Sequence, residues 1–312
     1  MADGVAVGPT LAAALHDLLV TLAPRAGSLV VTVFGDSIAP QGNRVWLGGL
    51  VAVMARFGLN ARQVRTAIFR LGRDGWLMST MGGRRSYYAF TDFGARHYAR
   101  AAERIYAPAA VAWDGHWTLV TAVGLASASR DEMRRRLGWL GFGAVGGGLL
   151  AHPHITVDTV REVLCELGCE QQVMVWRATP SLDAPLAELV HASWRLDDLA
   201  LRFEQFIKCF GAFEPLLASS AELEPGDAFV LRTLLVHEYR RILLKSTELP
   251  PALLPPVWPG HGARALTTRL YRRLHGAASH YCRLVFENAS GPLPAPAAVF
   301  YQRFGGLPQQ LL

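Results

Sequence analysis

The sequence predicts an α+β protein with several domains, and three observations support this. Residues 47–90 hold two helix patterns joined by a short turn, then two strand patterns. Residues 117–178 alternate strand and helix patterns, and the chain is mostly helical from Pro185 onward. Apolar spacing of about 3.6 residues indicates a helix, and strict alternation indicates a strand. A chain of 312 residues is long enough for about two or three domains.

Composition narrows the class of protein. Hydrophobic residues make up 51% of the chain and aromatic residues 10%, which predicts packed cores and excludes a disordered chain. The net charge of +6 permits a nucleic-acid partner without proving one. The stretch from Arg56 to Arg104 is rich in arginine and poor in acidic residues.

Cysteine usage and the N-terminus predict a cytoplasmic protein. The four cysteines form no CxxC pair, so neither a zinc site nor a disulfide framework is expected. A reduced compartment fits best, and no signal peptide is recognisable. Residues 137–157 lack charged side chains but are rich in glycine, so we expect a loop leading into a buried strand rather than a membrane span.

The first hundred residues predict helices that lead into and out of a hairpin. A helix over residues 11–23 ends at Pro24, and Ser28 is the expected cap of the next helix. After a break at Pro40 and Gly42, a short apolar helix ends at Gly58 and Asn60 caps a second one. Strands follow on either side of a Gly82-Gly83 turn. Thr91 or Asp92 then caps a helix that stops before Pro108.

The helix after Asn60 has one apolar and one basic face. Val64, Ala67, Ile68 and Leu71 follow helical spacing, and arginines lie mainly off that face. Helix, turn, basic helix and basic hairpin is the order of a winged helix-turn-helix. Arg and Gln suit guanine and adenine edges, and wing arginines suit phosphates or the minor groove. The predicted DNA-binding residues are Asn60, Arg62, Gln63, Arg65, Thr66, Arg70, Arg84 and Arg85.

Within that set, Arg62, Gln63 and Thr66 are the expected base readers, since residues near the start of a recognition helix usually meet the bases. Arg65 and Arg70 are expected on phosphates or in support of the fold. The alternative is that these arginines form only a solvated basic face.

The middle and the C-terminal third differ in pattern. Residues 116–178 read β-α-β-α-β, which is typical of a ferredoxin-like α+β sandwich, and Gly168 is a plausible helix C-cap. Later helices are interrupted by a proline-rich stretch between Glu248 and Gly260, and a last helix starts at Gly262. The tail from Gly291 is expected to be irregular.

His237 and Glu238 begin a sequence that is close to the HExxH zinc motif. The second histidine would stand at position 241, which is Arg, so metalloprotease chemistry is rejected. A metal site that combines His237 with other histidines stays open as an alternative to a hydrogen-bonded core histidine. We predict no catalytic residue and no metal ligand.

Three blocks together resemble a known family. The runs SLVVTVFGD, VWLGGLVAVMARFGLNARQVRTAIFRLGRDGWL with GRRSYYAFTDFG, and VHEYRRILLKSTELPPALLPPVWPG are similar to the PaaX family of phenylacetic acid catabolism repressors. The resemblance covers nearly the whole chain in the expected order. It implies a winged helix-turn-helix in 1–108, a ferredoxin-like domain similar to Cas2 in 109–182, and a helical C-terminal domain in 183–312.

The resemblance also implies a function. Family members are dimeric repressors of aromatic-acid degradation operons that phenylacetyl-CoA releases from DNA. We therefore expect operator DNA with two-fold symmetry, a second copy of the chain and an aryl-acyl-CoA effector as partners, with neither a cofactor nor a membrane. Arginines for the phosphates and an apolar slot would form the effector site. The expected effector-binding residues are His237, Arg240, Arg241, Trp258 and Arg264.

Two rival functions remain. One is a metal-dependent nuclease or hydrolase built on the Cas2-like or C-terminal domain. It requires an acidic or nucleophilic cluster, which the sequence does not show. The other is a winged-helix module that binds proteins rather than DNA.

Overall fold

The structure is a computed structural model that describes residues 10–107, 113–180, 184–220 and 222–308. Its α-helices are α1 (Leu11–Leu22), α2 (Ala26–Val33), α3 (Leu47–Ala55), α4 (Ala61–Arg73), α5 (Asp92–Tyr106), α6 (Ser127–Trp139), α7 (Val157–Glu166), α8 (Ala184–Ser193), α9 (Leu196–Gly211), α10 (Phe213–Ser219), α11 (Pro225–Leu243), α12 (Pro259–Val285) and α13 (Ala298–Tyr301). Its strands are β1 (Val45–Trp46), β2 (Leu77–Gly82), β3 (Arg85–Phe90), β4 (Trp117–Ala122), β5 (Gly143–Ala144), β6 (Leu150–His152), β7 (Val173–Ala178), β8 (Glu287–Asn288) and β9 (Gly291–Pro292).

The chain divides into two compact units. The terminal unit comprises Met1–Pro108, Gln205–Arg241 and His261–Leu312, and the central unit comprises Ala109–Glu204 and Ile242–Gly260. Helices and sheets occur in both, as the α+β prediction requires. The domain boundaries expected at 108 and 182 stay predictions.

The terminal unit begins with helices that lie where the sequence predicts them, apart from one cap. Thr10 caps α1 through its side chain, and α1 ends before Pro24. The prediction that Ser28 caps the next helix is wrong, because α2 starts at Ala26. Ser28 instead lies in the first turn, where its hydroxyl and its carbonyl oxygen accept bonds from Arg240. A buried π-helical turn, Phe34–Ile38, continues α2.

Helices α3 and α4 are joined by a turn in which Gly58 has a φ of +76°, and α4 packs on α2 and on β2. The small sheet has the order β1-β3-β2, all antiparallel. The pairing of Gly82 with Arg85 moves the hairpin turn to Gly83-Arg84, one residue later than expected. Gly83 has a φ of +61°, which favours glycine there. Gly82 stays in the strand beneath the Tyr87 ring, which a Cβ would approach to 2.8 Å.

Helices α11 and α12 complete the core of the terminal unit. Their buried residues include Phe229, Leu234 and Tyr271, each at most 1% exposed. The expectation of an irregular tail is wrong in part. The tail contributes β9, which pairs with β8, and the short helix α13, and it buries Phe300 and Phe304. Its apolar residues lie between prolines and glycines, so the periodicity that predicts an element is absent.

The central unit has the predicted ferredoxin-like order with one strand more. Its antiparallel sheet runs β5-β6-β4-β7, with α6 and α7 as the connections, and the strand order along the chain is β-α-β-β-α-β. Strand β5 was missed because two residues, Gly143 and Ala144, carry no alternation. Gly168 follows α7 with a φ of +62°, as its expected C-cap role requires.

Within the residues that the structure describes, no helix is both long enough and apolar enough to cross a membrane.

Candidate nucleic-acid interface

Helix α4 starts with a reciprocal cap that fixes its first turn. The Asn60 side chain accepts a bond from the Gln63 backbone N–H at 3.0 Å. The Gln63 side-chain oxygen accepts one from the Asn60 N–H at 2.9 Å. Two backbone donors that a helix start leaves without a partner are thereby satisfied. Asn60 thus has the predicted capping position, and its side-chain oxygen is committed to the helix.

The buried face of α4 is the predicted one. Val64, Ala67 and Ile68 are buried against the unit, and the opposite face is exposed. We call Arg62, Arg65, Thr66 and Arg70 the basic face. None of its three arginines has an ion-pair partner among the residues described. Their guanidinium groups are therefore available to an anionic partner.

Gln63 is exposed but partly occupied by the cap. A glutamine that reads adenine in a bidentate way needs its oxygen to accept from N6 and its nitrogen to donate to N7. The oxygen of Gln63 already accepts from Asn60 N–H. The second lone pair of that oxygen remains, so Gln63 can still contact a base, with the orientation of its amide set by the cap.

The two hairpin arginines have different surroundings. Arg84 stands in the turn itself and is exposed. The Arg85 guanidinium lies 2.9 Å from a carboxylate oxygen of Glu287 and over the Trp46 ring at 4.4 Å. Arg84 is thus the freer cation at the hairpin tip, whereas Arg85 fastens the hairpin to β8 and β1.

An aromatic residue that the sequence reasoning missed stands among the arginines. Phe69 is 74% exposed on α4. It follows Arg65 by four residues and Arg62 by seven, so it shares their face of the helix. That spacing is visible in the sequence, but phenylalanine has no hydrogen-bonding group that would mark it as a contact for a base edge. Apolar side chains can contact thymine methyl groups in the major groove.

The predicted effector residues of the terminal unit are mostly occupied by internal contacts. His237 is buried, and its Nδ1 lies 2.9 Å from the Thr32 hydroxyl. Arg240 is buried and donates to Ser28. Arg241 pairs with Glu238 on its own helix.

Arg264 donates to the carbonyl oxygens of Ala107 and Arg104. Trp258 belongs to the central unit, where it is buried beside the Phe203 ring. The five residues therefore lie in different surroundings, and their effector-binding role stays a prediction.

Burial has a strong effect on His237. It lowers the pKa of His237 to about 3, and the charges of Arg240 and Arg241 act in the same direction. The imidazole is therefore neutral at physiological pH, which suits a hydrogen-bonded core residue.

A buried ionic cluster, also missed, lies in the same unit. We call it the Asp36 cluster: Asp36, Tyr106, Arg232, Tyr271 and Arg303. Asp36 is fully buried, with Arg232 Nε at 3.1 Å and the Arg303 guanidinium at 3.0 Å from its carboxylate. The hydroxyls of Tyr106 and Tyr271 donate to the same carboxylate at 2.7 and 2.9 Å.

The charges of this cluster decide the ionisation of its acid. Burial raises the pKa of Asp36, but Arg232, Arg303 and the two hydroxyls outweigh it, and the pKa lies below its usual value. Asp36 is therefore ionised, and one carboxylate faces two guanidinium groups.

Over residues 10–107, 113–180, 184–220 and 222–308, no group of three or more His, Cys, Asp or Glu side chains is placed to hold a metal ion.

Known proteins and protein families match most of the chain. Residues 25–94 match the model of the PaaX-like protein, residues 110–190 that of the PaaX protein central Cas2-like domain, and residues 194–284 that of the PaaX-like protein C-terminal domain. The chain is 39% identical over 284 residues to the transcriptional repressor PaaX of Escherichia coli (strain K12), which covers 90% of each protein.

A solved structure gives a likeness of fold. The uncharacterized protein Rv0674 from Mycobacterium tuberculosis superposes with a TM-score of 0.52 at 22% identity, over 81% of this chain and 98% of that one. At this identity the match supports the fold alone.

Proposed function

This chain belongs to the PaaX family of transcriptional repressors, and on that premise we propose that it represses an aromatic-acid catabolic operon of the phenylacetate type by binding the operator. In this proposal α3, α4 and the β2–β3 hairpin form a winged helix-turn-helix, with α4 in the major groove. The chain acts as a regulator without enzymatic activity or a cofactor, in the cytoplasm, where the operator lies.

The observation that carries the proposal is the basic face of α4. Its arginines are exposed and have no ion-pair partner in the described part of the chain, while the other face of the helix is buried. Exposed arginines that are free of internal pairs can release counterions from DNA phosphates and donate to guanine edges. Arg84 at the hairpin tip adds a further cation beside that surface.

Within this surface we assign roles from the hydrogen-bond donors and acceptors of each side chain that internal contacts leave unused. Arg62 and Thr66 lie in the first two turns of α4 and can donate to base edges, because the start of a recognition helix usually faces the bases. Arg65, Arg70 and Arg84 serve phosphates. Gln63 contributes its amide in the orientation that the cap sets, Asn60 fixes the helix, and Arg85 holds the hairpin.

We further propose that the active form is a homodimer and that an aryl-acyl-CoA such as phenylacetyl-CoA releases it from DNA. Two copies of α4 would then meet half-sites in successive major grooves, about 34–36 Å apart. An effector can shift such a dimer only when it binds the released state more tightly than the DNA-bound state.

The rival proposal is a protein-interaction module, and exposed apolar side chains on the same surface favour it. Besides Phe69, Met81 in the hairpin is 71% exposed. Such a module would be indifferent to DNA sequence.

Fluorescence anisotropy tests the two proposals. The DNA is the region upstream of the gene, compared with scrambled DNA of equal length at two salt concentrations, with and without phenylacetyl-CoA. We expect selective binding that the thioester relieves. Equal, weak binding to both DNAs that disappears with added salt would mean backbone electrostatics only, and the interaction module would then replace the repressor. Selective binding that ignores the thioester would remove the effector assignment and retain the repressor.

A further inference from the structure

The terminal unit contains a cavity of about 570 Å³, which we call the aromatic cavity. It is lined by the π-helical turn after α2, the end of β3, α5 and the tail. Its aromatic lining residues are Phe90, Tyr98, Tyr106 and Phe300. A cavity of this size lies within the range of roughly 300–1,000 Å³ that is usual for small-molecule sites.

The space exists because three of the positions by which α5 lines the cavity are alanine. Ala95, Ala99 and Ala102 line the cavity at helical spacing, and their side chains end at Cβ. The Tyr98 ring, from the same helix, lies so close over Gly35 that a Cβ there would come within 1.9 Å of it. Small residues open the cavity and aromatic residues form its sides, so an aromatic ring fits its walls.

The lining of the cavity also includes a positively charged side chain. Arg303 lines it, and Arg303 shares the Asp36 carboxylate with Arg232. One negative and two positive charges leave a surplus of one positive charge in this buried cluster. The acid that also lines the cavity, Glu103, is exposed and therefore screened by water. A ligand with an oxygen acceptor or a negative charge next to its ring would offset the surplus.

We propose that the aromatic cavity binds the arylacyl group of an aromatic acid or of its thioester. The ring packs against the aromatic walls, and the acyl oxygen faces Arg303. The inference rests on the proposed function only for its consequence, the release of DNA; the binding itself needs no DNA.

The position of the cavity gives the ligand a route to the DNA-binding surface. Phe90 ends β3 of the hairpin, and the Asn43 side chain bonds both the N–H and the carbonyl oxygen of Phe90, at 3.1 and 3.2 Å. Both residues line the cavity. A ligand that displaces either one moves the base of the hairpin whose tip carries Arg84.

The central unit holds a larger cavity, of about 860 Å³, lined by Trp113, His191 and the prolines near position 255. Its charged lining residue is Glu188, and no arginine lines it within the described chain. Glu188 is exposed and screened by water, as Glu103 is, so the difference between the cavities is the arginine. Arg303 lines the aromatic cavity, and we therefore assign the arylacyl group to it.

Calorimetric titration without DNA tests the site, with phenylacetate, phenylacetyl-CoA and acetyl-CoA as probes. Two variants fill the cavity at positions that tolerate bulk: Ala99→Trp, on the exposed side of α5, and Val299→Trp, where the side chain is 66% exposed. Ala12→Trp, at an exposed position of α1, is the matched control.

We expect the unaltered protein and Ala12→Trp to bind an aryl probe and to ignore acetyl-CoA. Both filled variants should bind it roughly tenfold more weakly or worse. Affinity for phenylacetate alone would show that the free acid suffices, and affinity for phenylacetyl-CoA alone that the thioester is required. Both results support the site.

Three results would overturn it: aryl binding that persists in both filled variants, equal binding of acetyl-CoA, or no binding of either aryl probe. Failure of the repressor function looks different, because cavity-dependent aryl binding would then remain while selective DNA binding was absent.

Discussion

The terminal unit contains two sets of arginines that differ in their exposure to solvent and in their ion pairing. Those of the basic face are exposed and have no ion-pair partner in the described residues. Arg232 and Arg303, in the Asp36 cluster, are at most 9% exposed and share one carboxylate. An exposed arginine adds little to the stability of a fold, whereas a buried one whose partner is removed costs several kcal/mol. The same side chain therefore serves binding in one place and folding in the other.

The largest effect is expected from a substitution that removes the Asp36 carboxylate, which Arg232 and Arg303 share. Asp36→Asn keeps the shape but leaves two buried guanidinium groups without a counter-charge. We expect a loss of about 3–5 kcal/mol in the free energy of unfolding, measured by urea denaturation. Asp17→Asn, at an exposed site in α1, is the control and should change little. A small loss for Asp36→Asn would erase the contrast between the two sets.

Acidification tests a second buried group of the same unit, His237, which lies outside the Asp36 cluster. Burial lowers the pKa of His237 to about 3, against about 6.5 in the unfolded chain. Below about pH 6.5 the unfolded chain takes up a proton that the folded chain does not bind, so stability falls as the pH falls towards 3. From pH 7 to pH 5 this group should lower the free energy of unfolding by about 2 kcal/mol.

His237→Gln should flatten that dependence while retaining a hydrogen-bond partner for the Thr32 hydroxyl, and His16→Gln, at an exposed position, should not. His275, whose pKa burial lowers to about 4, contributes in the same direction in every variant. An unchanged pH dependence in His237→Gln would contradict the assignment.

Removing one exposed arginine tests the other side of the comparison. Arg65→Ala should weaken operator binding about tenfold and reduce the salt dependence by about one phosphate contact, because an arginine on phosphate releases counterions. Its free energy of unfolding should stay the same. Arg134→Ala, an exposed arginine of α6 in the central unit, makes the same change of charge and should leave DNA affinity unaltered. If the two variants lose DNA affinity equally, the basic face acts only through the net charge of the protein.

The smallest effect concerns the cap that presents the basic face. Asn60→Ala removes the Asn60 acceptor for the Gln63 N–H and should destabilise the protein by about 1 kcal/mol in thermal unfolding. Thr156→Ala removes the corresponding cap of α7 in the central unit. We expect the two variants to lose similar amounts of stability, and only Asn60→Ala to lose DNA affinity; that result would place the start of α4 at the DNA. If both variants bind DNA equally well, the start of α4 does not lie at the DNA.

What the sequence could predict here depends on how far apart the interacting residues lie. Helix α4, its Asn60 cap and its apolar face follow from spacing within about a dozen residues, and the structure agrees with them. The ferredoxin-like order followed from alternation, except for β5, which is too short to alternate. The cap assigned to Ser28 was wrong because α2 starts at Ala26, and the Ser28 hydroxyl instead accepts from Arg240, which lies 212 positions later.

The candidate sites show the same limit. The exposed arginines could be listed from the helical wheel, but the tether of Arg85 to Glu287 joins positions 202 apart. The Asp36 cluster joins Asp36 to Arg303 across 267 positions, and nothing in the local pattern of either residue indicates the other. Local periodicity shows which face of an element is buried, and it carries no information on the partner that buries it.

The long separation within the Asp36 cluster has a consequence for biosynthesis. A ribosome releases Asp36 well before it has made Arg232 and Arg303, at roughly 5–20 residues per second. Until then the nascent N-terminal segment holds an acid that neither Arg232 nor Arg303 neutralises, and α2 has α4 beside it but lacks the α11 contacts from His237 and Arg240. A truncated translation product that stops before position 303 would keep the basic face but lack this closure. Synthesis past position 303, rather than emergence of the arginines of α4, is therefore the point at which we expect the terminal unit to become stable.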